Sequence, residues 1–166
     1  MGNSVKTIQG KVRLVSACTE QLVVVKGWFN SYAEIHTWGG PELTYPITDQ
    51  DFVTLLQATH LHSYVLLDEN ATLLAFGQHY LRIGRHHLGR LVVNPAYRGK
   101  GLGKMLVRQL LDKAYTQQVA EHGSLFVFTS NKAAYDCYQK LGFVEYPYPD
   151  GVPGNMPNCI YMIRAY

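Results

Sequence analysis

Three cysteines are all that 166 residues contain, and no C-x-x-C pair occurs among Cys18, Cys137 and Cys159. That argues against a disulfide framework and a zinc site, and it suits a reducing cytoplasm. No run reaches 18 apolar residues and the N-terminus has no apolar h-region, so neither a membrane span nor secretion is expected. Met1-Gly2 would invite myristoylation, but position 6 holds Lys6 where Ser or Thr is required. Charge is scarce as well. Only 16% of residues are charged, and the formal net charge of +3 is too weak and too scattered for a nucleic-acid surface. It does suit a small anionic ligand. No repeat, low-complexity tract or linker divides the chain, so one domain over residues 1–166 is expected.

What the chain has is apolar content, 47% of residues. A domain of about 150 residues buries roughly 70% of its unfolded surface, so a core forms without staples. Val12 to Ser16 reads as a short strand, and Thr19 as the cap of a helix running to about Tyr32. Trp38 to Pro46 reads as a loop, after which Thr48 or Asp49 caps a helix with Phe52, Leu55 and Leu56 on one face. Tyr64 to Leu67 and Leu73 to Ile83 read as strands joined by a hairpin at Asp68-Glu69-Asn70. A third strand, Leu88 to Val93, ends at Asn94-Pro95. Leu106, Leu110 and Ala114 recur at helical spacing in a segment of about Leu102 to Val119. Leu125 to Phe128 is a continuous apolar run, the mark of a strand covered on both faces. Ser130-Asn131 caps a helix through Leu141, stopped by Gly142, and strands near Phe143 to Tyr146 and Ile160 to Arg164 close the chain. The order implies an α+β fold, a mixed sheet covered by helices.

Chemistry concentrates where the third strand meets the long helix. Arg98-Gly99-Lys100-Gly101-Leu102-Gly103 places glycines where backbone N–H groups form an anion nest at a helix start. Lys100, Lys104 and Arg108 add positive charge, so the expected ligand is a phosphate or pyrophosphate. A Walker A loop fails here twice, with Arg98 at its first glycine and Met105 at its Ser/Thr. A G-x-G-x-x-G fingerprint fails once, and the acidic residue it needs about 20 positions on is missing. The pattern [RQ]xxGx[GA] after a strand ending in V-x-P matches in full, through Val93, Pro95, Arg98, Gly101 and Gly103.

Further on, Asn131, Ala134, Tyr138, Lys140, Gly142 and Phe143 spell N-x-x-A-x-x-x-Y-x-K-x-G-F. With these two motifs, residues 88–143 resemble the GNAT (GCN5-related N-acetyltransferase) superfamily; the resemblance is general for residues 1–87. It implies a mostly antiparallel sheet with one splayed parallel pair, here Leu88 to Val93 and Leu125 to Phe128, and acetyl-coenzyme A held in the opening. By the same resemblance, Leu91, Val92 and Val93 pair with the pantetheine arm. The pyrophosphate rests on Arg98, Gly99, Lys100, Gly101, Leu102, Gly103 and Lys104. Asn131 either contacts the pantetheine region or serves as a helix cap, and Tyr138 lies near the thioester sulfur.

The implied activity is N-acetylation of a primary amine, by direct attack on the thioester in a ternary complex. The amine must be neutral: a lysine ε-amine costs about 4.6 kcal/mol to deprotonate at pH 7, an α-amine about 1 kcal/mol. Tyr138 is the expected acid for the leaving thiolate. The family's usual glutamate base is missing, since the zone reads Arg85-His86-His87-Leu88-Gly89-Arg90 and Leu125 to Thr129 holds no acid. His87 is the substitute by position, with a buried or surface histidine as the alternative. His60 and His62 would share a strand face, but no third ligand accompanies them and no metal is expected. Cys137 reads as a buried thiol rather than a nucleophile. Glu34, Trp38, Glu42, Tyr45, Tyr146 and Tyr148 form either an acceptor pocket or plain packing. A coenzyme A-binding module without activity, motivated by the missing acid, is the rival reading. Acceptor and oligomeric state stay open, a homodimer being the commonest soluble assembly.

Overall fold

A computed structural model describes residues 6–152 and 156–166. Strand β1 (Arg13–Ser16) leads into three short helices, α1 (Thr19–Lys26), α2 (Tyr32–Gly39) and α3 (Asp49–Leu56). Then come β2 (His62–Leu67), β3 (Leu73–Arg82), β4 (Arg85–Val93), the long helix α4 (Leu102–Gln117) and β5 (His122–Phe128). Helix α5 (Lys132–Lys140), β6 (Val144–Tyr146) and β7 (Cys159–Ala165) complete the chain. The seven strands form one sheet in the order β1-β2-β3-β4-β5-β7-β6. Every neighbouring pair is antiparallel except β4 and β5, as the resemblance implied.

Alternation along β2 divides the interior between the two sheet faces. Tyr64 and Leu66 join Leu102, Leu106, Leu110 and Phe143 under α4 and α5. Val65 and Leu67 point the other way, to Leu22, Val25, Ile35, Phe52 and Leu56 from α1, α2 and α3. Removing a buried leucine from either layer is expected to cost about 2–5 kcal/mol.

The structure corrects the expected helix from Thr19 to Tyr32. The chain leaves the helix at Gly27 and starts a new one, α2, at Tyr32. Ser31 Oγ accepts the Glu34 N–H at 3.2 Å, and Glu34 Oε2 accepts the Asn30 N–H at 2.7 Å. The Ser31 cap, with the Glu34 carboxylate bracing the preceding Asn30 N–H, outweighs the apolar continuity across it. Trp38 and Gly39 therefore belong to the end of α2 and not to a loop. Strand β4 begins at Arg85 rather than Leu88, because Ile83 and Gly84, at φ of 45° and 73°, make a two-residue hairpin. His60 precedes β2, so it shares no strand face with His62, which stacks on His79 at 4.8 Å.

Candidate active site

The parallel pairing of β4 with β5 lasts three residues: His86 with Gly123, His87 with Ser124 and Leu88 with Leu125. From Gly89 onward β4 stays on β3, Val93 facing Ala75, but among the described residues no strand pairs with its other side. A bulge helps to turn it away. Between the Phe76–Val92 and Gln78–Gly89 pairs, β4 carries one more residue than β3, and Arg90 sits there at φ of 49°. Along this open edge runs a cavity of ≈ 710 Å³ lined by Gly89 to Val92 of β4, Phe126 to Phe128 of β5, Arg98, Asn131 and Tyr138. Unpaired backbone along a strand edge is what an extended amide-bearing chain pairs with.

At one end of the opening lies the glycine loop. Asn94 accepts the Ala96 N–H at 3.0 Å and donates to the Leu73 carbonyl at 2.8 Å, fixing the strand's exit. Gly99 and Gly101 take φ of 76° and 77°, where a side chain is strained, and a Cβ on either would project into open space. Gly103 differs: it is helical, and a Cβ there would meet only Val93 Cγ2 at 3.9 Å. The first intrahelical bond of α4 runs from Met105 N to Gly101 O, so the N–H groups of Leu102, Gly103 and Lys104 have no helical acceptor, and Gly101 has no side chain to cap them. Helix dipole, orphan donors and an open cradle fit a pyrophosphate.

Asn131 is a helix cap that also stands in the wall of the cleft. Its Oδ1 caps α5 by accepting the Ala134 N–H at 3.2 Å, and the residue lines the cleft. Tyr138 lines the same cleft from α5, its ring edge-on to Phe143 at 6.1 Å. Its hydroxyl has no hydrogen-bond partner among the described residues, and burial pushes the phenol well above its ordinary value. It therefore keeps its proton at any working pH. Burial also raises the Cys137 thiol, against the pull of Lys104 and Lys140, which leaves no thiolate nucleophile there.

A second cavity, ≈ 680 Å³, adjoins the first and shares with it Thr37, Trp38, Leu88, Gly89, Arg90, Phe126 and Phe128. His87 lines this cavity, buried, with Nδ1 2.9 Å from Ser124 Oγ. Desolvation first, then the charge of Arg82, pushes its pKa down to about 3. It is a neutral imidazole at pH 7. Of the proposed acceptor residues, Trp38 lines both cavities, Glu34 the first and Glu42 the second. Tyr148 stacks on the lining residue Phe126 at 5.4 Å, whereas Tyr45 and Tyr146 line neither cavity. Lining residues to which the sequence reading gave no role include Tyr80 and Arg82 of β3, and Arg90. Their β3–β4 register was not legible, and nothing local marks Arg90 as a bulge residue. Among the described residues no cluster of His, Cys, Asp and Glu suits a metal ion, and no helix is long and apolar enough to cross a membrane.

Comparison with known proteins meets this geometry. The aminoglycoside N(6')-acetyltransferase type 1 of Klebsiella pneumoniae is 25% identical over 163 residues, covering 87% of this chain and 78% of that one. Among solved structures, the spermidine N-acetyltransferase of Vibrio cholerae in complex with CoA and spermine superposes with a TM-score of 0.74 at 18% identity, over 93% of this chain and 95% of that one. An aminoglycoside acetyltransferase in complex with coenzyme A and kanamycin superposes with a TM-score of 0.71 at 20% identity, over 93% and 95%. The profile of the Acetyltransferase (GNAT) family matches residues 25–143, so the chain belongs to that family and is an acetyl-CoA-dependent N-acetyltransferase of amines.

Proposed function

We propose that the splayed β4–β5 cleft holds acetyl-coenzyme A and that the adjoining cavity, floored by His87, holds the amine acceptor. The observation that carries this is the end of strand pairing at Leu88 and Leu125, which gives one cleft an open backbone edge, an anion nest and Tyr138. Acetyl-coenzyme A would supply the acetyl group as a thioester: the neutral amine attacks its carbonyl carbon, the C–S bond breaks with the thiolate as leaving group, and the amine's surplus proton passes to solvent or the released thiolate. The N–H groups of residues 98–104 bind the pyrophosphate, and the edge formed by Leu91, Val92 and Val93 orients the pantetheine arm. Asn131 contributes to the same wall.

Tyr138 keeps its proton at the phenolic oxygen, where it would face the leaving sulfur of the bound thioester. Full transfer from a raised phenol to a thiolate with pKa near 8.5 runs uphill, so a donated hydrogen bond is its main contribution. His87 takes the place of the missing acid only as a neutral acceptor, ordering a water or the amine N–H, because burial removes its strength as a free-standing base. An acceptor whose amine is already partly neutral near pH 7 needs the least help.

Aminoglycosides and spermidine, the acceptors that name the relatives, frame the acceptor as an amine of small-molecule size, and the second cavity falls in the range of such sites. We place the protein in the cytoplasm on its three unpaired thiols, as a single domain forming a homodimer. Thiol release at saturating acetyl-CoA against a panel of amines tests the enzymatic reading. Cofactor binding without release from any acceptor would leave a coenzyme A-binding module instead.

A further inference from the structure

The acceptor-side cavity is cationic. Two guanidinium groups, Arg82 and Arg90, line it, against the single carboxylate of Glu42. Arg82 stands over the rings of Tyr80 and Phe126, 5.5 and 5.7 Å from their centroids. That stacking fixes the guanidinium plane and leaves its N–H edge unspent, for the Arg82 side chain makes no hydrogen bond or ion pair with any described residue. Arg90 donates from Nε to the Gly39 carbonyl at 3.1 Å and from Nη1 to Gln78 Oε1 at 3.2 Å. Both acceptors are neutral. Burial lowers the Arg90 pKa, with Tyr80 and Glu42 only partly opposing it, and among the described residues no carboxylate comes within ion-pair range of either arginine. The indole N–H of Trp38, which lines both cavities, is also buried without an acceptor. Partly buried positive charge with unspent guanidinium donors at the cavity wall is costly until an anion arrives.

We infer that the acceptor is an amine that also carries an oxyanion, a carboxylate or a phosphate, which Arg82 receives with Arg90 behind it while the amino group reaches the β4–β5 cleft. The inference deepens the acetyltransferase reading and rests on it. Arginine binds either oxyanion through paired N–H donors, so the cavity's chemistry names the shared group rather than its source. A polycationic amine would bring its charges against two guanidiniums with one carboxylate to answer them, which disfavours it.

The test is thiol release by the full chain at saturating acetyl-CoA, comparing matched acceptors. These are an amino acid against its amide, an aminoalkyl phosphate against the corresponding amino alcohol, and spermidine as the polycation. One oxyanion-bearing acceptor is expected to exceed its uncharged partner in kcat/KM by about 10–100-fold, the range of a charge-assisted hydrogen bond. Whichever pair shows the gap identifies the oxyanion. R82Q is expected to collapse that ratio toward one and R82K to retain part of it, with the acetyl-CoA dissociation constant on each preparation showing that the fold and cofactor cleft are intact. Preference for spermidine, equal rates within both pairs, or a ratio that survives R82Q would each overturn the inference and leave the acetyltransferase intact. Acetyl-CoA binding with no thiol release from any amine would remove both.

Discussion

Leu88 and Leu125 face each other as the last pair across the two parallel strands, and the cleft begins where their pairing stops. Both are buried, so the fork is anchored in the core while its arms stay open. The residues assigned to cofactor binding lie on β4 beyond this point, in the loop that opens α4 and at the cap of α5.

The loop's glycines are not equivalent, and cofactor affinity should say so. Gly101 sits at φ of 77°, where a β-branched residue costs about 1–3 kcal/mol and its side chain would enter the cradle. Gly101→Val should therefore raise the acetyl-CoA dissociation constant by about 10–100-fold. Gly103→Val should do less, because Gly103 is already helical and its Cβ would meet Val93 at ordinary distance. Isothermal titration of both variants checks the order. Equal losses would mean that steric exclusion alone governs this loop.

Stability should fall in mild acid. His79 is pushed down to about 4, by burial first and then by its stacked neighbour His62, and His87 to about 3. In the unfolded chain both titrate near 6.5, so below that pH the unfolded state binds more protons than the folded one. Folding stability is thus fully present above 6.5 and is lost as pH falls toward 4 and 3. Melting temperatures recorded from pH 7 to 4.5 should decline, and His79→Phe, which keeps a ring between His62 and Tyr64, should flatten the decline. A curve level down to 4.5 would contradict the buried neutral imidazoles.

How much of this was readable beforehand depends on whether the cause was local. The glycine nest, the Asn131 cap and the helical positions of Tyr138 were legible because each is written within a few consecutive residues. So was the cap at Ser31, which apolar continuity concealed. What could not be read was cross-strand. The bulge at Arg90 follows from β3–β4 register, and Arg82 reaches Phe126 only because β3 and β5 flank β4. The burial that silences His87 as a base arises the same way, from Ser124, Tyr80 and Phe126 closing over it.

That burial gives a kinetic expectation. A histidine with pKa about 3 does not titrate between pH 5 and 8, so the rise of kcat/KM with pH should follow the acceptor's own amine. His87→Ala should lower kcat without moving the midpoint of the profile. A midpoint displaced by about one unit or more would instead make His87 the titrating base.

Tyr138→Phe removes one hydroxyl and keeps the ring that packs edge-on against Phe143. Folding and acetyl-CoA affinity should be unchanged, since the N–H nest and the β4 edge lie elsewhere and the hydroxyl has no partner among the described residues to lose. The single-turnover rate should fall by about 10²–10³-fold, the range for losing one donor aimed at developing negative charge. Because burial holds the phenol protonated, the loss should be the same at pH 6 and pH 9, whereas a proton donor with an ordinary phenolic pKa would begin to fail toward the upper limit. Measuring affinity and single-turnover rate on one preparation separates the outcomes. An unchanged rate at unchanged affinity would remove Tyr138 from the chemistry, and joint loss of binding and of the folded state would return it to the core.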